Sequence, residues 1–168
     1  MERNRAGEGV RQLRGVYHFT QGRCTMAVKV KPVALWRKEI ENKPGAVANV
    51  LENLRNIDLQ VVMAYRYPGN PERGAVEAYP ITGKKTVQAA QVAGLSVSTI
   101  PALLVEGDNK AGLGYAITKA LSEAGINLEF VVGQVVGRKH STVIGFESGD
   151  DARKAVPLIR RAASARKK

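Results

Sequence analysis

The sequence has little of two residue types that catalytic and metal-binding proteins use. It contains one cysteine, Cys24, and two histidines, His18 and His140, among 168 residues. A single cysteine excludes an intramolecular disulfide framework and a Cys-x-x-Cys metal site, and a free thiol is typical of a reducing compartment. The two histidines are far apart in the chain, and we interpret both as surface residues rather than as a base or a metal ligand.

Long apolar segments are also absent. No run approaches the roughly 20 residues that span a membrane, and residues 1–25 lack the apolar centre of a secretory signal. We therefore expect a soluble, cytoplasmic protein without membrane contact. With 44% apolar residues the chain can build one moderate core or two small ones, which excludes a disordered composition.

The net charge of +11 is concentrated at the two ends of the chain. Residues 1–31 carry seven basic and two acidic residues, a net +5, and residues 153–168 carry seven basic and no acidic residues, a net +7. The body between them is close to neutral. A dedicated nucleic-acid domain usually has a basic face within its fold. We therefore interpret the ends as solvated tails, with binding of nucleic acid or an acidic partner as the alternative. Met26 resembles a protein start, so we expect residues 1–25 to be either an optional extension or the result of a misassigned start.

Residues 105–130 predict the end of a strand, a tight loop, an amphipathic helix and a new strand. Apolar side chains recur at helical spacing on one face of the helix. Asp108 or Asn109 can cap its N-terminus, and Gly125 can end it in the left-handed conformation.

The chain contains this pattern twice, at an offset of 67 positions, so that Gly45 corresponds to Gly112. The offset continues without insertion through these pairs: Leu54 with Leu121, Val61 with Leu128, Val76 with Val143, and Tyr79 with Phe146. Two units are too few for a solenoid and suit two small domains packed side by side.

Each unit is predicted to contain strand, helix, strand, strand and helix. The first has strands at 33–40, 59–67, 75–81 and 95–100, with helices at about 45–55 and 84–93. The second has strands at 102–106, 127–136 and 141–147, a four-residue turn at 137–140, and a last helix from 148 that Pro157 should kink or split. This is the α+β class with two ferredoxin-like βαββαβ units, whose antiparallel sheets carry helices on one face.

The second unit lacks its last strand, because nothing after residue 159 predicts one. An open sheet edge is an aggregation risk that proteins cover or pair. We expect residues 16–19 or a second copy of the chain to fill the gap. The expected domains are a basic extension at 1–31, units at 32–100 and 101–160, and a basic tail at 161–168. With almost no linker, the two units should form one rigid body.

Two short motifs carry a resemblance to a known family. They are Glu41-Asn42-Lys43-Pro44-Gly45 before the first helix, and Asn109-Lys110-Ala111-Gly112 with Ala124-Gly125-Ile126-Asn127-Leu128 around the third. Over residues 33–159 the chain resembles two ACT domains in tandem. Ala111 departs from the family's usual proline, a mild change because alanine is also favourable early in a helix. The resemblance implies an effector site at this loop, often at an interface between domains.

The loop before each helix is suited to bind a carboxylate. It brings free backbone N–H groups to the positive end of the helix, and its glycine lets a ligand approach the backbone. Asn42, Asp108 and nearby carbonyls can accept from the ammonium group of an amino acid. The candidate ligand-binding residues are Asn42, Lys43, Pro44, Gly45, Ala46, Ile57 and Asp58 in the first unit, and Asp108, Asn109, Lys110, Gly112, Leu113, Ile126 and Asn127 in the second.

The same residues have a structural interpretation, in which the polar ones are helix caps and the glycines serve packing. Asp108 raises a further difficulty, because its charge would repel a carboxylate unless it pairs with Lys110 or with the ligand's amine. No catalytic motif is present: the P-loop signature is missing, a third glycine for dinucleotide binding is missing, and no Ser/His/Asp arrangement can be proposed. Four aromatic residues fit core or interface packing better than base stacking: Tyr65, Tyr67, Tyr79 and Phe146.

The sequence therefore predicts a non-catalytic regulatory protein, without cofactor or metal, that senses an amino acid. Coupling to its own assembly, as a homodimer, or to a separate enzyme is expected, since ACT domains are attached to enzymes of amino-acid metabolism. Nucleic acid is the alternative partner, and a small enzyme of the same topology is a third interpretation that lacks a visible polar cluster.

Overall fold

A computed structural model of the protein describes residues 28–164, and its elements follow the predicted order. The strands are β1 (Lys29–Val33), β2 (Trp36–Glu41), β3 (Val61–Tyr67), β4 (Asn70–Tyr79), β5 (Ser96–Val97), β6 (Ala102–Asp108), β7 (Leu128–Val136) and β8 (Lys139–Phe146), and the helices are α1 (Ala46–Glu52), α2 (Lys84–Val92), α3 (Leu113–Glu123) and α4 (Gly149–Ser164). They form two antiparallel sheets in the orders β3-β4-β2-β5 and β1-β6-β8-β7. The predicted α+β class with two ferredoxin-like units is confirmed.

In each unit the helices cover one face of the sheet. Trp36 and Val76 of the first sheet share a core with Val50 of α1 and Ala90 of α2. The second core is larger, because α4 spans sixteen residues and adds a row of small and branched side chains. It is built from these buried residues: Val30, Leu103, Val105, Leu113, Ile117, Leu121, Ile126, Ile144, Phe146, Ala152, Ala155, Ile159 and Ala163.

Strand β1 completes the sheet of the second unit. It pairs antiparallel with β6, from Lys29 opposite Glu106 to Val33 opposite Ala102. Within residues 28–164 no strand follows α4, as expected, and β1 takes the place next to β6 that β5 takes next to β2. The expectation that residues 16–19 fill this gap falls outside the described residues, and the edge of β6 that they were to cover is already paired by β1.

The segment predicted as one strand at 33–40 is two strands in different sheets. The chain leaves the second sheet at Val33, passes the buried Leu35, and enters the first sheet at Trp36. The domain boundary expected at residue 32 therefore falls inside a strand of the second unit. At the other end, residues 161–164 continue α4 and are helical rather than part of a tail.

The sheet faces that point away from the helices pack against each other. Met63 of the first unit and Leu104 and Val143 of the second share one buried cluster, to which the β1–β2 connection adds Leu35. Lys31 Nζ, on the second sheet, also lies 5.6 Å from the centre of the Tyr79 ring on the first, a cation–π distance. The two units are therefore joined by a common core as well as by the chain.

The repeat offset of 67 holds through the first helix of each unit but not through the hairpins. Gly45 and Gly112 both precede a helix with a left-handed φ, of 84° and 81°. The registers of the following strands are shifted by one residue between the two units. Val76 accordingly faces the helices, whereas Val143 faces the other unit. A shift of one residue reverses the face of every side chain in a strand.

Of the two effects expected of Pro157, a kink or a split of the last helix, the split does not occur in α4. The helix continues from Gly149 to Ser164, and Pro157 lies on its exposed side, where water can solvate the carbonyl that proline leaves unpaired. Four basic side chains share this outward side: Arg153, Lys154, Arg160 and Arg161. Among residues 28–164, no helix combines the length and apolar character needed to cross a membrane.

We predict that Val30→Asp strongly destabilises the protein. Val30 is 6% exposed in the core of the second unit, where an unpaired carboxylate costs about 3 kcal/mol or more of the free energy of unfolding. The matched control is Val97→Asp in β5, because Val97 is 55% exposed and should lose no more than about 0.5 kcal/mol. Urea unfolding measures both variants, and equal losses would mean that β1 does not belong to the folded core.

Candidate functional site

A cavity of about 420 Å³ lies between the N-terminus of α3 and the strands β7 and β8. This volume is within the range of small-molecule sites. It is lined by Asn109, Lys110, Ala111, Gly112, Leu113, Gly114, Ile117, Thr118, Val131, Gly133, Gln134, Val135, His140, Thr142 and Ile144. The lining contains no aspartate or glutamate, so any anionic group placed here meets no carboxylate side chain from the walls.

The N-terminus of α3, which has no side-chain cap, forms one end of the cavity. Leu113 N donates to Lys110 O at 3.2 Å and Ala116 N to Gly112 O at 2.9 Å, and no side chain caps the helix. The N–H groups of Gly114 and Tyr115 therefore remain available to a ligand. Because Gly112 takes the left-handed conformation, the backbone can turn sharply into the helix at this point.

The walls of the cavity are mainly apolar. Ile117 of α3 and Ile144 of β8 also belong to the core, so this side of the cavity is rigidly packed. Val131 and Val135 of β7 extend this lining along the same face of the sheet and are about half exposed, since β7 is the last strand of its sheet. The cavity thus combines the positive N-terminus of α3 with apolar walls. This arrangement fits a small anion that also carries an apolar group.

His140 forms part of the floor of the cavity and is only 6% exposed. The expectation that it is a surface residue is therefore wrong. The hairpin turn is two residues, Gly137 and Arg138, rather than four, so His140 is the second residue of β8. Its Nδ1 lies 3.3 Å from the carbonyl oxygen of Asp108, and its buried Nε2 has no hydrogen-bond partner in the described part of the chain.

No family model and no curated protein sequence matches the chain, whereas solved structures do. The regulatory subunit of aspartate kinase from Thermus thermophilus, in its ligand-free form, has a TM-score of 0.54 at 15% identity over 82% of this chain and 98% of that one. The corresponding subunit from Thermus flavus has a TM-score of 0.54 at 18% identity, over 82% and 97%. A protein from Bacteroides thetaiotaomicron reaches 0.61 at 19% identity, over 76% and 88%.

The chain has a tandem ACT-type fold. At these identities the likeness is one of fold alone, and it extends over nearly the whole length of the aspartate kinase subunits. Within this ACT-type fold, the cavity lies in the second unit, at the N-terminus of α3 and the loop that precedes it.

The predicted residues of the second loop separate into three groups. Asn109, Lys110, Gly112 and Leu113 line the cavity together. Ile126 and Asn127 instead line a different cavity, behind the C-terminal end of α3, with Ser122 and other residues. Asp108 lies outside both, so the structure brings four of the seven residues to one place.

The difficulty raised by Asp108 is resolved by a partner that the sequence did not indicate. Lys139 Nζ lies 2.6 Å from Asp108 Oδ1, and this hydrogen bond lowers the pKa of the Asp108 carboxyl below its ordinary value. Lys110, the partner expected from the sequence, donates to the carbonyl of Ala163 at 2.5 Å. The charge of Asp108 is therefore balanced beside the cavity rather than within it.

The first loop is closed by its own contacts. Asn42 donates through Nδ2 to the carbonyl oxygen of Pro71 at 2.7 Å, and Lys43 pairs with Glu41 at 2.6 Å. Ile57 packs against the first core, and Asp58 is exposed. The following helix, α1, has only seven residues, so its positive end is weaker than that of α3. The Pro44, Gly45 and Ala46 backbone leads into this short helix.

Four polar side chains of the cavity come from outside the loop and were not among the predicted site residues: Thr118, Gln134, His140 and Thr142. Alternation along β8 was the available signal, since His140 and Thr142 share the face of Ile144. With the hairpin turn placed at residues 137–138, this alternation would have put His140 and Thr142 on the same face of the sheet.

The tyrosines of the first unit are engaged within its sheet. Tyr65 donates its hydroxyl to the fully buried Glu77 and Tyr67 donates to Glu39, both at 2.8 Å. Burial and this bond to Glu77 raise the pKa of the Tyr65 hydroxyl. These hydrogen bonds give the two tyrosines a structural role that does not require stacking on nucleic-acid bases. Residues 28–164 contain no group of three or more metal-ligating side chains placed to hold a metal ion.

We predict opposite effects of alanine at two neighbouring glycines of the loop. Gly112→Ala should lose about 1–2 kcal/mol of the free energy of unfolding, because Gly112 has a left-handed φ of 81°. Gly114→Ala should gain about 0.5–1 kcal/mol, since Gly114 is inside the helix and a Cβ there meets nothing within 4 Å. Denaturant unfolding compares them, and a stable Gly112→Ala variant would contradict the described loop conformation.

Proposed function

We propose that the protein is a non-catalytic regulator that binds an amino acid in the cavity at the N-terminus of α3. The observation that carries the proposal is the combination, in one cavity, of an uncapped helix N-terminus with an apolar wall. The first attracts the carboxylate of the ligand, and the second favours an apolar side chain. The ACT-type fold supports the proposal by analogy, because the aspartate kinase chains of the same fold are regulatory subunits.

In a regulator, ligand binding must also change the assembly of the protein or its interaction with a partner. We propose that a homodimer forms along β7 in the cytoplasm and that the state of this dimer, or of a separate enzyme bound to it, responds to the ligand. Within residues 28–164, the outer edge of β7 is unpaired and no charged residue occurs between Phe130 and Val136. Four of its valines are 46–72% exposed: Val131, Val132, Val135 and Val136. Such an edge is a template for pairing with another strand.

A second copy of β7 fits this edge well. Antiparallel pairing about Gly133 would place Val131 of each copy opposite Val135 of the other, a favourable apolar pair. Both valines also line the cavity. A ligand that contacts them would therefore bind differently to the paired and unpaired states, which is the condition for coupling.

The alternative function is binding of nucleic acid or an acidic partner through the basic ends. A specific observation favours it, because Arg153, Lys154, Arg160 and Arg161 lie on the exposed side of α4. Some of their charge is already engaged. Arg153 pairs with Asp150, and Arg160 Nη2 lies 3.4 Å from the carbonyl oxygen of Val30. This leaves the amino-acid proposal as the better supported one.

We predict that an apolar amino acid raises the melting temperature by about 5–11 °C at one hundred times its dissociation constant. Binding at that concentration adds about 2.7 kcal/mol, and each kcal/mol moves the melting temperature of a chain of this size by about 2–4 °C. A thermal-shift screen of the twenty amino acids measures it. Thr118→Trp should abolish the shift by filling the cavity that Thr118 lines, and Lys119→Trp, one residue away and outside the cavity lining, should retain it.

Two outcomes would contradict this proposal. A shift that survives Thr118→Trp but is lost in Asn42→Ala would place the ligand at the first loop. No shift with any amino acid, together with retention on nucleic acid that falls steeply with salt, would favour the basic ends.

We predict that Val136→Glu converts the protein from a dimer to a monomer. The substitution places a charge at the most exposed apolar position of β7, which pairing about Gly133 sets opposite Phe130 of the other copy, where the carboxylate would lose water without gaining a partner. Val92→Glu is the matched control, because Val92 is equally exposed on α2 and lies away from this edge. Sedimentation velocity measures the mass of each variant, and a Val136→Glu dimer would contradict pairing through β7.

A further inference from the structure

We infer that His140 Nε2 accepts a hydrogen bond from the ammonium group of the ligand, which makes the cavity selective for amino acids over carboxylic acids that lack the amine. The inference rests on the proposed function and extends it. It assigns a recognition role to a residue whose sequence position, beside a basic turn, indicated only surface exposure.

The tautomer of His140 follows from its one hydrogen bond. Nδ1 lies 3.3 Å from the backbone oxygen of Asp108, and a carbonyl oxygen can only accept. Nδ1 therefore carries the proton. In a neutral imidazole the other nitrogen is then unprotonated, so Nε2 is an acceptor and requires a donor from elsewhere.

No described residue supplies that donor. Nε2 is buried and has no hydrogen-bond partner within residues 28–164. A buried polar atom without a partner is costly, and in native proteins it calls for an explanation such as a bound water or ligand. His140 is one of the residues that line the cavity, so a ligand bound there is the donor that the inference assigns to Nε2.

The imidazole packs closely against β6, since a Cβ built on Gly107 would lie 3.3 Å from His140 Cε1. His140 is paired with Val135 of β7 and shares its face of the sheet with Thr142 and Ile144, which also line the cavity. The side chain is therefore on the cavity side of the sheet.

The carboxylates near the cavity leave the ammonium group to neutral acceptors. Asp108 is paired with Lys139 at 2.6 Å, and no carboxylate lines the cavity. The carboxylate of an α-amino acid is attached to the same carbon as its ammonium group. A ligand whose carboxylate lies at the N-terminus of α3 therefore holds its ammonium close by, within the cavity that His140 lines.

The test compares L-leucine with 4-methylpentanoate, which is the same molecule without the amine, by titration calorimetry. If another apolar amino acid gives the larger thermal shift, that amino acid and its desamino acid replace the pair. We expect wild type to bind the amino acid more tightly. His140→Phe should weaken amino-acid binding by about 10- to 100-fold, because a hydrogen bond to a charged group is lost, and should change desamino-acid binding by less than about threefold.

His140→Gln provides the rescue, since its amide oxygen reaches close to the position of Nε2 and should restore much of the preference. If the phenylalanine variant does not fold, His140→Met is the second apolar variant, because methionine adapts to irregular space. Equal losses for both probes, or no loss for either, would overturn the role of His140 while leaving the proposed function intact. Failure of wild type to bind either probe would instead contradict the proposed function itself.

Discussion

The pairing of β1 with β6 is the contact on which the rest of the structure depends. It joins residues 29–33 to residues 102–106, far apart in sequence, and so pairs the edge of β6 for which no strand follows α4 within residues 28–164. Val30 then enters the core under α4, and Arg160 reaches the carbonyl oxygen of the same residue. Because only two residues separate Val33 from Trp36, this pairing also fixes the first unit against the second. The common core around Leu104 and Met63 follows from it.

Elements whose signal is local were predictable from the sequence. The spacing of apolar residues predicted the bounds of α2 and α3 to within a few residues. Gly45 and Gly112 indicated the loops that precede α1 and α3. The partner of β1 has no local signal, because pairing of Lys29 with Glu106 depends on tertiary contact. The continuous apolar character of residues 33–36 also hid the change of sheet between two strands.

The candidate site was predictable in part for the same reason. The loop residues Asn109 to Leu113 belong to one stretch of chain, whereas Thr118, Gln134 and His140 join them through a helix turn and two strands. His140 was predicted to be a surface residue because its neighbour Lys139 is basic and because the sequence predicted a four-residue turn that included it. Once the turn is two residues long, alternation with Thr142 and Ile144 places the imidazole on the helix side of the sheet, below the N-terminus of α3.

Binding of an apolar amino acid at the N-terminus of α3 is tested most directly by an amide NMR titration of the full chain with L-leucine. We predict that the resonances of the backbone amides of Gly114 and Tyr115 shift furthest, since they are the free donors of the first turn. The side-chain signals of His140 should move with the same dissociation constant. Amides that stay fixed at saturating leucine, or that move only around residues 42–45, would contradict it.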